Sequence, residues 1–552
     1  MAVTQFDREA LAPERTVRRV GSRSVTWGST TERFATWRRE HRRDLLALTA
    51  VLIIVGGVHA WGMYNAPARF DDEGTYVSQA WATNNGELAH YTYWYDHPPA
   101  GWIQLGAVAA ITNTFDAAPN AVGTGRFVML LVKLITAALL FVLARRLSLS
   151  RPLAAAAVVL FGVSPLALGF SRMVFLDSIA LAWLMAACVL AVSPRRSIWT
   201  AAGSGACFAM CVLSKETFLL SGIGWAWLLL RESSHHNRRF CAAVGLGSAV
   251  IGIAAYPLFA LLRGEMFPGD GHVSLWDAVM YQLSGREGSG FILDPHSGAY
   301  GLLKLWLNMD PVLPVVGLIA AFVVMWKLPR WRPVMVVLLV PALAMFRGGY
   351  LPYPSMIQMM PFLALACVGL VSIVVGQRPH RADALLAMSL ASLLIASALW
   401  TPTLAGLVSD NQDRAMSGAQ AWLKANATPA DTLVVDDALW LDFVNAGWST
   451  ENVVWFYKID LDSGVQLPDG GRGVDYLAFP PLPADVALPK LREILDRSTV
   501  VATFGDGANA VTVYDASPDN PIPASPAAAS PAAASNDDVA NSRDDEPEDP
   551  TR

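Results

Sequence analysis

Apolar stretches of membrane-crossing length alternate with short polar connections from about residue 45 to residue 408, and then the pattern changes. A crossing helix needs roughly 17–25 mostly apolar residues, and by that measure we read about eleven spans. They fall near 45–64, 122–144, 152–170, 174–192, 198–213, 217–231, 241–262, 305–326, 333–346, 354–376 and 383–408, of which 198–213, 217–231 and 333–346 are short. Beyond them, residues 409–516 read as a small α/β domain, with a helix over 413–426 and strands near 432–435, 453–458, 476–479, 500–504 and 510–514. Residues 517–552 are rich in Pro, Ala, Ser and acid and bury too little apolar surface to fold, so we read them as a disordered tail. The expected architecture is a mainly α, polytopic helical bundle (44–408) followed by that α/β domain.

Loop charge orients the bundle. Arg145, Arg146 and Arg151 follow the second span, Arg195 and Arg196 the fourth, and Arg231, Arg238 and Arg239 the sixth. Lys327, Arg330 and Arg332 follow the eighth, and Arg378 and Arg381 the tenth. Basic connections mark the cytoplasmic side, which therefore also holds the Arg-rich residues 1–43, too long and polar for a cleaved signal. The long connection 65–121, the 171–177 segment, Lys215, the 263–300 connection, Arg347 and the α/β domain then face outward. Residues 65–121 carry Tyr91, Tyr93, Trp94, Tyr95 and Trp102, which favour the headgroup zone, so short interfacial helices are expected there. A span over 98–115 would put the basic connections on the wrong side. For 263–300, a mobile lid and a plain connector both stay open.

Composition agrees. Of 552 residues, 53% are hydrophobic and 16% charged, against about 25% charged in soluble domains. The net charge of -5 is segregated along the chain, with no global basic patch for nucleic acid. The five cysteines lie in apolar runs, so no disulfide framework is expected, and the Cys207/Cys211 pair reads as packing. Gly203-Ser204-Gly205 suits close helix contact. His235-His236 carries no metal reading. Mid-span Lys133 calls for an acidic partner that the sequence does not identify. High Ala and Arg with little Lys fits a GC-rich bacterial gene, which points to a bacterial plasma membrane.

Carboxylates beside a bilayer are expensive and usually functional. Three of them, Asp71, Asp72 and Glu73, follow the first span. Asp96-His97-Pro98-Pro99 comes later in the same connection, and Ser171-Arg172-Met173-Val174-Phe175-Leu176-Asp177 opens the fourth span. One acid could serve as a helix cap; three acids beside a membrane exceed that need. The Pro-Pro turn is rigid and fixes the side chains before it.

This combination, spread over about 44–380, resembles the GT-C membrane glycosyltransferases. The nearest patterns are the polyprenol-phosphate-mannose protein mannosyltransferases and the transferases of aminoarabinose to lipid A. In these an Asp-Glu pair opens the first outer loop, a His-Pro-Pro or Lys-Pro-Pro turn follows, and Arg-x-x-x-x-Asp begins a later span. The resemblance implies a GT-C bundle that inverts a sugar, such as the hexose mannose, from a polyprenyl-phosphate donor onto an external protein, polysaccharide or glycolipid acceptor. It implies Asp72 as general base, with Glu73 and Asp177 as further catalytic carboxylates. Asp71, Asp96, His97, Arg172, Lys215, Arg347 and Tyr350 are the expected substrate-binding residues. Lys215 suits a phosphate as a compact charge and Arg347 as a fork of donors. No cofactor is assigned; Asp96 and His97 are candidate ligands should a divalent metal take part. The alternative from another class is a transporter or lipid-carrier flippase. Such proteins place ionisable groups near the midplane within repeats, whereas here the acids gather at one face.

Overall fold

The structure is a computed structural model that describes residues 30–70, 72–91, 95–233, 237–377, 398–462, 464–482 and 487–517. Asp71, Tyr93, Trp94, His235, His236, Arg378, Arg381, most of the 383–408 run, residues 1–29 and the tail from 518 lie outside them. The chain divides into two compact units, which meet at Asp413 and Arg414.

The first unit is helical. In order come α1 (Thr30–Ala60), α2 (Glu73–Asn84), α3 (Ala100–Thr112), α4 (Thr114–Ala117), α5 (Ala121–Arg146), α6 (Arg151–Val163), α7 (Pro165–Arg172) and α8 (Leu176–Ala191). Then follow α9 (Ile198–Ser214), α10 (Gly222–Glu232), α11 (Arg238–Leu262), α12 (Leu275–Met280), α13 (Gly298–Met309), α14 (Val312–Lys327), α15 (Arg332–Ala344), α16 (Met360–Gln377) and α17 (398–409). The helix ends follow local chemistry. The Asn120 side chain caps α5 by accepting from the Gly123 amide at 2.7 Å, and Arg145 and Arg146 close it, where cations suit the helix C-terminus. The connection 65–121 folds into α2, α3 and α4.

Among the described residues four segments are long and apolar enough to cross a bilayer: Arg42–Ala60, Ala121–Arg146, Arg238–Leu262 and Tyr353–Gly376. Two bent pairs add one each if taken as single spans, α6 with α7 (63°) and α13 with α14 (100°). The count of eleven read from hydropathy exceeds this. Hydropathy reads α8, α9, α10 and α15 as crossings, but they hold only 16, 17, 11 and 13 residues.

Both bends have a chemical cause. Pro165 has no N–H to give the Phe161 carbonyl, and the Lys133 ammonium donates there instead, at 3.2 Å. Lys133 also donates to the Ala167 carbonyl and to Ser171 Oγ, and it lies 3.4 Å from the centre of the Phe161 ring. Its partners are thus the freed backbone and a hydroxyl, not the acid its position suggests. At the second bend, buried Asp310 accepts from the Val312 and Leu313 amides at 2.8 and 2.9 Å and from the Trp400 indole at 2.8 Å. Ser164, at the first bend, donates to Asp310 at 2.5 Å and so ties the two bends together. Close contact of α9 with α11 needs glycine: a Cβ on Gly205 would lie 1.9 Å from the Gly245 carbonyl oxygen.

The second unit carries α18 (Arg414–Asn426) and one five-stranded sheet. The strands are β1 (Leu433–Val435), β2 (Val453–Trp455), β3 (Tyr476–Phe479), β4 (Thr499–Phe504) and β5 (Val511–Asp515), ordered β2-β1-β3-β5-β4. β1 pairs parallel with β2 and β3, and β5 pairs antiparallel with β3 and β4. All three residues of β1 are buried, as an internal parallel strand requires. Val434, Leu477 and Phe479 pack with Leu491 and Ile494 of the amphipathic helix Pro489–Asp496.

Candidate functional site

Five segments of the first unit supply a cluster of charged groups: the start of α2, the 95–99 turn, the start of α8, the 3-10 turn Glu216–Ser221 after α9, and the connection before α13. Asp72 occupies the cap position of α2, yet its side chain makes no cap hydrogen bond. Its Oδ2 instead accepts from the Tyr76 hydroxyl at 3.0 Å.

Glu73 behaves differently. Its carboxylate is 0% exposed and accepts from Arg126 at 3.0 and 2.8 Å. It also accepts from the Val174 amide at 3.0 Å and the Phe70 amide at 3.3 Å. Arg126 spends its remaining donors on the carbonyls of Met63, Pro67 and Ala68. Glu73 therefore clamps the loop after α1, α5 and the entry to α8 together. Four donors occupy its two oxygens, and it is 0% exposed.

Arg172 is engaged by the fold in the same way. Its guanidinium is fully buried and donates to five carbonyls: Val58 (2.9 Å), His59 (3.0 Å), Trp61 (2.6 Å), Ala66 (3.2 Å) and Leu407. These include the orphan carbonyls that end α1. All five sites go to backbone, so Arg172 has no donor left for a phosphate or a headgroup.

His97 is buried and held at both ring nitrogens. Nδ1 lies 3.1 Å from Glu216 Oε2, and Nε2 lies 2.7 Å from the Lys215 ammonium and 3.6 Å from Asp96 Oδ2. An ammonium only donates and a carboxylate only accepts, so the tautomer that satisfies both carries its proton on Nδ1. Burial would raise the Glu216 carboxyl, but His97 and Lys215 hold it down to about 2. Burial would likewise lower the Lys215 ammonium, but Asp177, Glu216, Asp72 and Asp96 keep it above its ordinary value. The ring of Tyr76, whose hydroxyl holds Asp72, lies 6.3 Å from the His97 ring, so Asp72 and His97 belong to one neighbourhood. Asp96 Oδ1 accepts from Gln282 at 2.9 Å.

A cavity of about 910 Å³ opens beside the cluster. Its walls are mostly apolar, with Leu213, Leu220, Ile223, Ile253, Val279 and Leu351 among them. Asp96, Asp177, Glu216, Arg347 and Tyr350 also line it. Asp177, in the first turn of α8, is 4% exposed, and its Oδ2 has no hydrogen-bond partner among the described residues. Asp72, His97 and Lys215 are not among the lining residues.

A metal does not fit the two candidate ligands. Both nitrogens of His97 are engaged, and the Lys215 ammonium stands 2.7 Å from Nε2, where a cation would sit. Among the described residues no group of three or more His, Cys, Asp or Glu is placed to hold a metal ion.

The sequence reading misses several members. Glu216 sits beside Lys215 in Ser214-Lys215-Glu216-Thr217 and could have been named with it. Arg286, in the Gly-rich 263–300 connection, has no such signal. Its guanidinium lies 4.4 Å from the Tyr350 ring centre and within electrostatic reach of Asp96 and Asp72. The connection itself supplies Met266, Leu275, Trp276, Val279, Gln282 and Leu283 to the cavity, so it is a wall of the site.

No protein-family model and no curated protein matches the chain. Solved structures do. ArnT from Cupriavidus metallidurans bound to undecaprenyl phosphate aligns with a TM-score of 0.51 and 14% identity over 86% of this chain and 98% of that one. The oligosaccharyltransferase AglB from Archaeoglobus fulgidus, in complex with an inhibitory peptide and a dolichol-phosphate, gives 0.50 and 13% over 80% and 70%. The arabinofuranosyltransferase AftD from Mycobacteria gives 0.47 and 16% over 86% and 40%. At this identity the likeness is one of fold: the chain has the architecture of the GT-C glycosyltransferases.

Proposed function

We propose that the protein is an inverting glycosyltransferase that moves a sugar, a hexose such as mannose, from a polyprenyl-phosphate donor to an acceptor on the outer face of a bacterial plasma membrane. The observation that carries this reading is the cavity, whose apolar walls end at Asp96, Asp177, Glu216 and Arg347. Such a cavity matches a ligand with a hydrocarbon body and a charged, hydroxyl-rich head. Two proteins of this fold bind such carriers, ArnT undecaprenyl phosphate and AglB a dolichol-phosphate.

In this reading Arg347 takes the donor phosphate, with Tyr350 and Arg286 beside it. The free oxygen of Asp177 faces the sugar. The phosphate leaves as a stabilised anion and needs little acid assistance, but the acceptor hydroxyl must lose its proton as it attacks. Asp72 is the base, one of its oxygens fixed by Tyr76. The acceptor oxygen bonds the anomeric carbon as the carbon–oxygen bond to phosphate breaks, and the proton goes to Asp72. One displacement with no protein nucleophile inverts the anomeric centre. The acceptor is a protein, a polysaccharide or a glycolipid. In this reading residues 1–43 lie in the cytoplasm and residues 409–516 outside.

The test incubates the purified protein with a panel of polyprenyl-phosphate sugars and envelope acceptors and identifies the labelled product by mass spectrometry. Transfer by the wild type is expected, and Asp72→Asn should lower it about 10²–10⁴-fold while expressing and folding normally. Undiminished transfer by Asp72→Asn removes the base assignment. Carrier translocation without transfer would instead favour a flippase.

A further inference from the structure

One polar side chain of the cavity wall takes no part in the charged cluster. Gln358, between the 3-10 turn Tyr353–Met356 and α16, is 6% exposed and lines the cavity together with Leu220, Ile223, Pro341, Ala344 and Met345. Its amide is held by a chain of bonds that starts at a proline. Pro341 lies inside α15 and has no N–H to give the Val337 carbonyl. The Ser221 hydroxyl donates there instead, at 3.0 Å. Ser221 Oγ has then spent its one hydrogen and can only accept, and Gln358 Nε2 donates to it at 2.7 Å. This order fixes which way round the amide stands. Oε1 and the second Nε2 hydrogen have no hydrogen-bond partner among the described residues.

A buried amide left unpaired is costly. A prenyl chain laid over it offers it nothing, and a phosphate, which only accepts, would set its charge against Oε1. A hydroxyl both donates and accepts, so neighbouring sugar hydroxyls meet both halves of the amide. The place fits as well. Glu216, another lining residue, begins the 3-10 turn that Ser221 ends. At about 2 Å of rise per residue the two ends of that turn stand roughly 10 Å apart. A sugar ring with a hydrogen bond at each side spans a similar length.

We propose that Gln358 is a specificity-determining residue that recognises the sugar of the donor. Its Oε1 accepts from one ring hydroxyl away from the anomeric carbon, and Ser221 positions the amide for it. The inference rests on the transferase reading for the identity of the ligand, but its test is one of binding and needs no turnover.

The test measures retention of radiolabelled ligand on the purified full chain in detergent. The probes are polyprenyl-phosphate mannose, glucose, galactose and arabinose, bare polyprenyl phosphate, and single-deoxy forms of the best-held sugar. Wild-type protein should hold one sugar at least about 10-fold tighter than the bare carrier, and removal of one ring hydroxyl should cost about 10–100-fold. Gln358→Met keeps the length of the side chain without its hydrogen-bonding amide. It should hold that deoxy form and its parent within about 3-fold of each other, and the bare carrier within about 3-fold of wild type. No wild-type preference for any sugar over the bare carrier overturns the proposal. So does a deoxy penalty that persists in Gln358→Met, or a bare-carrier affinity that falls there as far as that of the sugar. Should Gln358→Met not fold, Ser221→Ala lets the amide turn and should shrink the deoxy penalty at least about 3-fold; an unchanged penalty counts against the proposal. If wild-type protein transfers no sugar from any donor, the transferase reading fails, yet the deoxy series still decides on Gln358.

Discussion

Arg126 and Glu73 form a buried ion pair, with the Arg126 Nη2 to Glu73 Oε2 distance 2.8 Å and their side chains 1% and 0% exposed. Glu73 lies beside the expected base, Asp72, at the start of α2. The pair fixes where α2 begins and so fixes the direction of Asp72. Removing one partner leaves the other charged and buried, which costs about 3–5 kcal/mol, more than removing both. Glu73→Gln and Arg126→Met should therefore each lower the thermal midpoint in detergent strongly, and the double variant should lie above the worse of the two. Sub-additivity in that cycle separates a structural pair from a catalytic acid.

Arg172 leads to a prediction opposite to its motif reading. Five backbone carbonyls need a planar fork of donors, which lysine does not have. Arg172→Lys should lose stability and loosen the end of α1, seen as faster protease cleavage near residues 58–66. Donor KM in the surviving folded fraction should stay within about 3-fold. A selective rise in KM without loss of stability would return Arg172 to the phosphate.

The sequence exposes those features that local pattern controls. The strands of the second unit appear as short apolar runs between turn residues, and all five stand where the pattern puts them. Asp72, His97, Asp177 and Lys215 are legible because charge at a membrane face is costly. Roles that depend on distant neighbours are not legible. Whether an arginine meets a phosphate, as Arg347 can, or a ring of carbonyls, as Arg172 does, depends on the chain 114 residues earlier and 235 later. The bends at Ser164 and Asp310 are hidden for the same reason: they interrupt apolar runs whose average stays high, and the compensating bonds come from other segments.

Glu216 predicts a pH effect on stability. Its folded carboxyl sits at about 2, below an ordinary glutamate near about 4.3. A depressed folded value gives stability that is full above the unfolded value and is lost as pH falls toward the folded one. The wild type should therefore lose thermal stability progressively from about pH 4.5 down toward about 2. Glu216→Gln should show a smaller fall over that window, starting from a lower midpoint at neutral pH. Parallel midpoint-against-pH curves for the two proteins would show that the His97–Glu216 contact contributes nothing.

Arg347 is the cation we assign to the donor phosphate, and its surroundings say how to test that. It follows α15, is exposed, lines the cavity, and its side chain makes no ion pair or hydrogen bond among the described residues. Nothing in the protein is left unpaired when it is removed, so folding should survive Arg347→Ala. A charge-assisted hydrogen bond to phosphate contributes about 1.5–3 kcal/mol. At about 1.4 kcal/mol per decade this becomes roughly a 10–150-fold rise in donor KM, with a smaller change in kcat. Arg347→Lys keeps the charge but loses the fork and should fall between the two. Added salt should weaken donor binding by the wild type more than by Arg347→Ala, because an exposed charge is screened. A KM unmoved by Arg347→Ala would shift the phosphate toward Arg286, whose guanidinium lies 4.4 Å from the ring centre of the cavity-lining Tyr350.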